Sequence, residues 1–210
     1  MSIDEITTGE GIDLVKLARE SVESFIKNKK IINSTTISNK KAGVFVTIYH
    51  VNNMGDEKNL RGCIGYVFPS NNIYNSVIAA AINAATEDPR FMAISEKELN
   101  EVIFEVSVLT KPTLIRIENT DESIKKIVIG RDGLLLESRY GSGLFLPQVP
   151  VEQKWNNRDY LSNLCYKAGA PSDAWMLDDS KLYTFSSLIF RESLPNSEIV
   201  AENPDNNLTN

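Results

Sequence analysis

The sequence predicts an α+β fold, a mainly antiparallel sheet flanked by helices, and three observations lead there. Strand-like and helix-like runs are interleaved without the regular strand–helix–strand alternation of a parallel sheet. Neighbouring strand-like runs are joined by hairpin-length connections. Glu101 to Leu109 alternates, with Val102, Phe104, Val106 and Val108 on one face and Glu105 and Ser107 on the other. That pattern fits a half-buried antiparallel strand.

The elements follow in order. Gly11 to Lys29 carries Leu14, Ala18, Val22, Phe25 and Ile26 at three- and four-residue spacing, which predicts an amphipathic helix. Lys16, Arg19, Glu20 and Glu23 read as its solvated face. After a polar connector from Asn33 to Lys41, Val44–Val51 and Leu60–Phe68 form a predicted hairpin whose loop holds Met54-Gly55. Pairing Val51 with Leu60 sets Ile48 opposite Cys63 and makes His50 a same-face diagonal neighbour of the thiol.

Asn71 to Glu87 predicts a second helix with a stripe of Ile73, Val77, Ala80, Ala81 and Ala84, small enough for close packing on a sheet. Pro89 stops it and throws Arg90 and Phe91 into a turn. Thr120 or Asp121 is suited to cap a short helix over Glu122–Lys126. Ile127–Ile129 and Leu134–Leu136 then flank an Asp-Gly turn as a second hairpin. Tyr140 to Gly143 reads as a turn, Val151 to Trp155 as one helical turn and Arg158 to Ala168 as a helix that buries Cys165 and ends at Gly169. Lys181 to Arg191 predicts one final strand. Residues 193–210 read as a polar, Asn-rich tail, disordered or loosely docked, which leaves residues 1–192 as the domain.

Composition narrows the function classes. At 210 residues the chain can bury a core without staples. A net charge of −6 disfavours a broad nucleic-acid surface. The two cysteines and one histidine have no zinc-type spacing. The first ten residues are polar and acidic, unlike a secretory signal, so the expected setting is cytoplasmic with reduced thiols. No apolar run approaches the ~20 residues of a membrane span.

The chemistry-bearing stretch is Leu60-Arg61-Gly62-Cys63-Ile64-Gly65-Tyr66, a cation, a thiol and two glycines inside one apolar run. Glycine within a strand points to a bulge, a bend or close approach of another backbone or a ligand. LRGCIG resembles the signature of the AMMECR-type domain family. Glu87-Asp88-Pro89-Arg90-Phe91, Ile129 to Leu134, Leu146-Pro147-Gln148-Val149 with Glu152 and Trp155, and Lys167-Ala168-Gly169 resemble it in the same order, over residues 11 to 192. The resemblance implies a larger and a smaller lobe with a groove between them. It also suggests a role in RNA or base modification beside Memo-like or radical-SAM proteins, and names no cofactor.

Cys63 is the nucleophile candidate, because a thiolate is favoured by a neighbouring cation and Arg61 lies two residues away. Its structural alternative is a small buried hydrophobe. Arg61, Gly62, Gly65, Asp88, Arg90, Glu152 and Trp155 are the candidate binding residues, with no metal ligand among them. Asp88 and Glu152 equally suit a turn cap or a pairing with an arginine, and Trp155 suits a packed core. Arg61, Arg90 and Arg131 suit an anion, and Tyr66, Phe91 or Trp155 a stacked ring. Neither Gly130–Gly133 nor Gly141–Gly143 matches a phosphate loop. No full acid–base–nucleophile set can be assembled. The leading expectation is therefore a ligand-binding domain for a small, nucleotide-like or other anionic ligand. An enzyme using Cys63 and a protein scaffold binding at a strand edge are the alternatives.

Overall fold

The computed structural model of the chain describes residues 6–34, 39–51, 58–68, 71–115 and 120–202. The α+β expectation holds: helices pack on two sheets, and every strand pairing whose register is defined is antiparallel. Residues up to Leu109 together with Leu188–Glu202 form one compact unit, and Thr110–Ser187 form another.

Unit 1 is built on α1 (Thr8–Asn28), β1 (Gly43–Val51), β2 (Lys58–Tyr66), α2 (Ile73–Thr86) and β3 (Val102–Leu109). A Thr7–Glu10 capping box opens α1, and Lys29 closes it in the left-handed region at φ 56°. Asn72 caps α2 by accepting the Asn75 N–H. Leu14, Val15, Ala18 and Val22 of α1 and Val77, Ala80, Ala81 and Ala84 of α2 bury against Val44, Val46, Ile48, Val102, Phe104, Val106 and Val108. β2 is the sheet's edge, followed by β1, β3, β8 (Ser187–Glu192) and β9 (Ile199–Glu202).

Three expectations are corrected in this unit. Arg19 does not lie on a solvated face: it is 7% exposed, and its Nε and Nη2 donate to the two carboxylate oxygens of Glu192. β3 is buried on both faces, Glu105 and Ser107 included, and it sits third of five strands. The predicted polar tail contains β9, which pairs with β8 from Ile189↔Glu202 to Glu192↔Ile199. A Pro195-Asn196 turn makes this reversal possible. Asn196 takes φ 59°, and the Leu194 N–H donates to Ser197 Oγ at 2.7 Å. The hairpin loop holding Met54-Gly55 and residues 203–210 lie outside the described residues.

Unit 2 has β4 (Thr113–Ile115), α3 (Thr120–Lys125), β5 (Gly133–Ser138), β6 (Gly141–Phe145), α4 (Gln148–Glu152), α5 (Asn157–Lys167) and β7 (Lys181–Phe185). The sheet order is β4-β7-β5-β6, and α5 buries Tyr160, Leu161, Leu164 and Cys165 with Leu134, Leu136 and Leu182. The hairpin predicted across the Asp-Gly turn is absent; β5 instead pairs with β6 and β7. Asp132 explains it. Its Oδ2 accepts the Val128 N–H at 2.8 Å while its own N–H returns to Val128 O, which closes 128–132 into a turn. The single strand predicted over Lys181–Arg191 is two, β7 and β8, in different sheets. The break is at Ser186, whose N–H donates to Thr110 Oγ1 and whose carbonyl accepts the Thr110 N–H.

Candidate functional site

The LRGCIG segment lies on β2, and its geometry starts from a bulge. Ile48 pairs with Gly62 but Tyr49 pairs with Leu60, so Arg61 is an extra residue with no partner on β1. The predicted register is therefore corrected. Thr47, not Ile48, stands opposite Cys63. His50 alternates with Thr47 onto the other face of β1, where its Nε2 lies 3.1 Å from Glu101 Oε2, so no cysteine–histidine pair forms.

Both glycines are required by close approach and not by backbone conformation. A Cβ on Gly62 would lie 2.1 Å from the carbonyl oxygen of Ala84 on α2. One on Gly65 would lie 2.3 Å from Val44 O and from the Phe45 ring. The alanines at the C-terminal end of the α2 stripe and Gly62 are two halves of one contact: the helix backbone at Ala84 rests directly on the strand.

That contact places the C-terminal end of α2, and with it Asp88, beside β2. The Asp88 side chain is 2% exposed, and its Oδ2 accepts the Cys63 backbone N–H at 2.9 Å and Arg90 Nη2 at 2.7 Å. Its Oδ1 accepts the N–H and Nε of Arg90 at 3.1 and 2.9 Å. Pro89 ends the helix so that this two-residue loop folds back on itself. The Arg90 side-chain hydrogen bonds hold the Asp88 carboxyl down to about 2 against the opposing cost of burial, helped by the N–H groups of Cys63 and Arg90. Arg90 is pushed further up in turn by its hydrogen bonds and charge pairing with Asp88, against the cost of burial.

Stability should depend on pH through this carboxylate. Folding lowers Asp88 from its ordinary value of 3.8 to about 2. Its contribution is complete above about pH 4 and is lost as pH falls through 2. The size is on the order of 1–2 kcal/mol, reduced from the full shift because Arg90 is half exposed. Urea unfolding of the wild type and Asp88→Asn at pH 6, 4, 3 and 2 is expected to show the two stabilities converging over the last three points.

Arg61 is only 15% exposed, and its Nε donates to Glu98 Oε1 at 2.9 Å. Burial opposes ionisation of Glu98, but the Ser95 N–H and hydroxyl and Arg61 outweigh it, leaving its pKa below the ordinary value. Arg61 Nη1 is buried and has no hydrogen-bond partner among the described residues. Phe91 is near both arginines, with the Arg61 and Arg90 guanidinium carbons 5.9 and 5.4 Å from its ring centre. The Thr47 hydroxyl is 3.3 Å from Cys63 Sγ.

Unit 1 thus brings together Arg61, Gly62, Cys63, Gly65, Asp88 and Arg90. Glu152 and Trp155 belong to unit 2. Glu152 is exposed, and Trp155 packs edge-on to Phe145 at 5.3 Å in the core cluster of Tyr160. Arg131 pairs with Asp132 at 2.8 Å. Cys165 is fully buried, and burial pushes its thiol up. Sequence reasoning missed Thr47, Glu98 and the closeness of Phe91 to two guanidiniums. Only the bulge, invisible in a pattern of apolar residues, selects Thr47. Among the described residues no three or more His, Cys, Asp or Glu side chains group as a metal site, and no helix is long and apolar enough to cross a membrane.

The same stretch of chain matches known proteins throughout. The AMMECR1 family model matches residues 15–190. This chain belongs to the AMMECR1 family. Protein MJ0810 of Methanocaldococcus jannaschii is 41% identical over 197 residues, 93% of this chain and 96% of that protein. Protein TK0174 of Thermococcus kodakarensis is 44% identical over 191 residues, 89% of this chain and 92% of that one. The crystal structure of the uncharacterized protein PH0010 from Pyrococcus horikoshii is similar with a TM-score of 0.87 at 40% identity, covering 94% of this chain and 98% of that chain. These relatives' names state no activity, so the function of this AMMECR1 domain has to come from its own residues.

Proposed function

We propose that this AMMECR1-family domain binds a small anionic ligand at the β2 segment, with Arg61 and Arg90 as cations and Phe91 as an apolar surface near both. The observation that carries the reading is Arg61 Nη1, a buried donor on a charged group with no acceptor among the described residues. A buried guanidinium nitrogen left unpaired is costly, and an incoming carboxylate or phosphate oxygen would relieve that cost with a charge-assisted bond. Nε of the same group is held by Glu98, so its plane is fixed before any ligand arrives.

A nucleotide-like ligand fits this chemistry through its phosphate and a base set against Phe91. It would also suit the accessory role in RNA or base modification that the family resemblance suggests. The scaffold alternative is weaker at this position. β2 is a sheet edge, but the Cys63 N–H that an added strand would need already donates to Asp88.

The test is thermal shift followed by calorimetric titration with inorganic phosphate, citrate and nucleoside monophosphates. A ligand present at 100 times its Kd is expected to stabilise the domain by about 2.7 kcal/mol. Arg61→Gln is expected to weaken that binding at least tenfold, the loss of about 1.4 kcal/mol. Equal binding by folded Arg61→Gln would remove the site.

A further inference from the structure

The two arginines of the β2 site are each matched by a carboxylate before any ligand arrives. Glu98 Oε1 accepts Arg61 Nε, and Asp88 accepts both Nε and Nη2 of Arg90. Neither carboxylate is free to swing away. The Ser95 N–H and hydroxyl both donate to Glu98 Oε2 at 2.9 Å, and the N–H groups of Cys63 and Arg90 donate to Asp88. Two fixed cations and two fixed anions therefore balance.

The surroundings add no positive excess. Among exposed charges nearby along the chain, Glu87 and Glu96 offset Lys58 and Lys97. Cys63 is neutral as a thiol and negative as a thiolate. Yet the site holds a strong donor in want of an acceptor, the buried Nη1 of Arg61. An oxygen that shares a single negative charge satisfies this donor and leaves only one charge unmatched. A phosphate monoester dianion brings a second charge into the same place. No cation is left to match it, and two fixed carboxylates repel it where water screens little.

We propose that the anion bound at Arg61 is a monoanion whose charge is shared by two oxygens, a carboxylate or a phosphodiester, and that the site discriminates against phosphate monoester dianions. This rests on the anion-binding reading above and narrows it to a charge state. Glu98 and Asp88 are the selecting residues: they orient the arginines and at the same time balance their charge. In a nucleotide-like ligand the matching group is an internal phosphodiester and not a terminal phosphate.

The protein's own charges persist over the range in which a phosphate monoester changes. The Arg90 hydrogen bonds hold Asp88 down to about 2. Burial opposes the Glu98 charge, but the Ser95 and Arg61 bonds outweigh it and keep that carboxyl below its ordinary value. A phosphate monoester takes up its second proton near pH ~6.

The experiment is calorimetric titration of the intact protein at pH 5.5 and pH 8 with adenosine monophosphate, its cyclic phosphodiester and benzoate. The first is mainly a monoanion at the lower pH and a dianion at the higher, whereas the other two are monoanions at both. Adenosine monophosphate is expected to bind at least fivefold more tightly at pH 5.5, while the two constant monoanions change less than twofold. Those two arms also report any change of protonation in the protein itself, His50 and Cys63 included. The tighter of them names the source, phosphodiester or carboxylate. Glu98→Gln keeps an oxygen for Arg61 Nε and removes one negative charge. It is expected to at least halve the adenosine monophosphate ratio, because a dianion gains twice what a monoanion gains from the added positive charge.

Equal binding of adenosine monophosphate at both pH values, lost in Arg61→Gln, overturns the charge selection and keeps the anion site. An unchanged ratio in folded Glu98→Gln also overturns the selection. If Glu98→Gln does not fold, the wild-type comparison of the three probes decides. Binding of no probe, or binding that folded Arg61→Gln leaves intact, removes the anion site itself and the charge selection with it.

Discussion

Glu192→Gln is expected to destabilise unit 1 by about 3–5 kcal/mol, the usual cost of removing one partner of a buried ion pair. Glu192 is 3% exposed and serves three groups. Its carboxylate accepts Arg19 Nε and Nη2, the latter at 2.6 Å, and the Phe104 N–H at 3.0 Å. Arg19 in turn donates to the carbonyls of Leu99 and Val102 at 3.1 and 2.8 Å and lies 4.8 Å from the Phe104 ring centre. One guanidinium thus ties α1 to β3 and to β8. A neutral amide in place of the Glu192 carboxylate would leave the Arg19 charge buried, with the longer 3.4 Å contact to Glu23 as its compensation. The double variant Arg19→Met with Glu192→Leu is expected to regain most of the loss, since paired apolar replacements remove the desolvation cost of both charges. Urea unfolding of Arg19→Met, Glu192→Leu and the double variant closes the cycle. A loss below about 1 kcal/mol for Glu192→Gln would show that the pair is not the tie described.

Gly62→Ala is expected to cost about 3 kcal/mol and to disturb the candidate site. The new methyl group would lie 2.1 Å from a helix backbone carbonyl, which has no rotamer to escape into. Either β2 or α2 has to move. Asp88 follows Ala84 by four residues, so the shift is carried to its hydrogen bonds with the Cys63 N–H and Arg90. Amide hydrogen exchange is the direct readout: faster exchange is expected at Cys63, with the far end of α2 unchanged. Unaltered protection at Cys63 would show that the strand–helix contact does not position Asp88.

Much of the fold was legible because it depends on local pattern. The three- and four-residue spacing of Leu14, Ala18 and Val22 and the small stripe of α2 mark helices wherever they are placed. Pro89 and Gly169 stop helices by their own backbone chemistry, and Gly169 sits at φ 71° as that requires. The reading failed where a pattern admits more than one partner. Leu134 to Leu136 is a strand, but its neighbours are β6 and β7, because Asp132 closes the preceding residues into a turn. Lys181 to Arg191 has the composition of one strand, and nothing in it marks the change of sheet at Ser186.

The candidate site divides in the same way. The sequence alone determined the family, the presence of a thiol between glycines on a strand and the cations that accompany it. Tertiary structure decided what those groups meet. It turned Arg19 and Glu105 inward from an expected solvent face, joined Asp88 to Cys63 and set Thr47 beside the thiol. The physical reason is that periodicity belongs to each segment by itself. Cross-strand partners depend on register, and a single extra residue at Arg61 changes which side chains stand opposite.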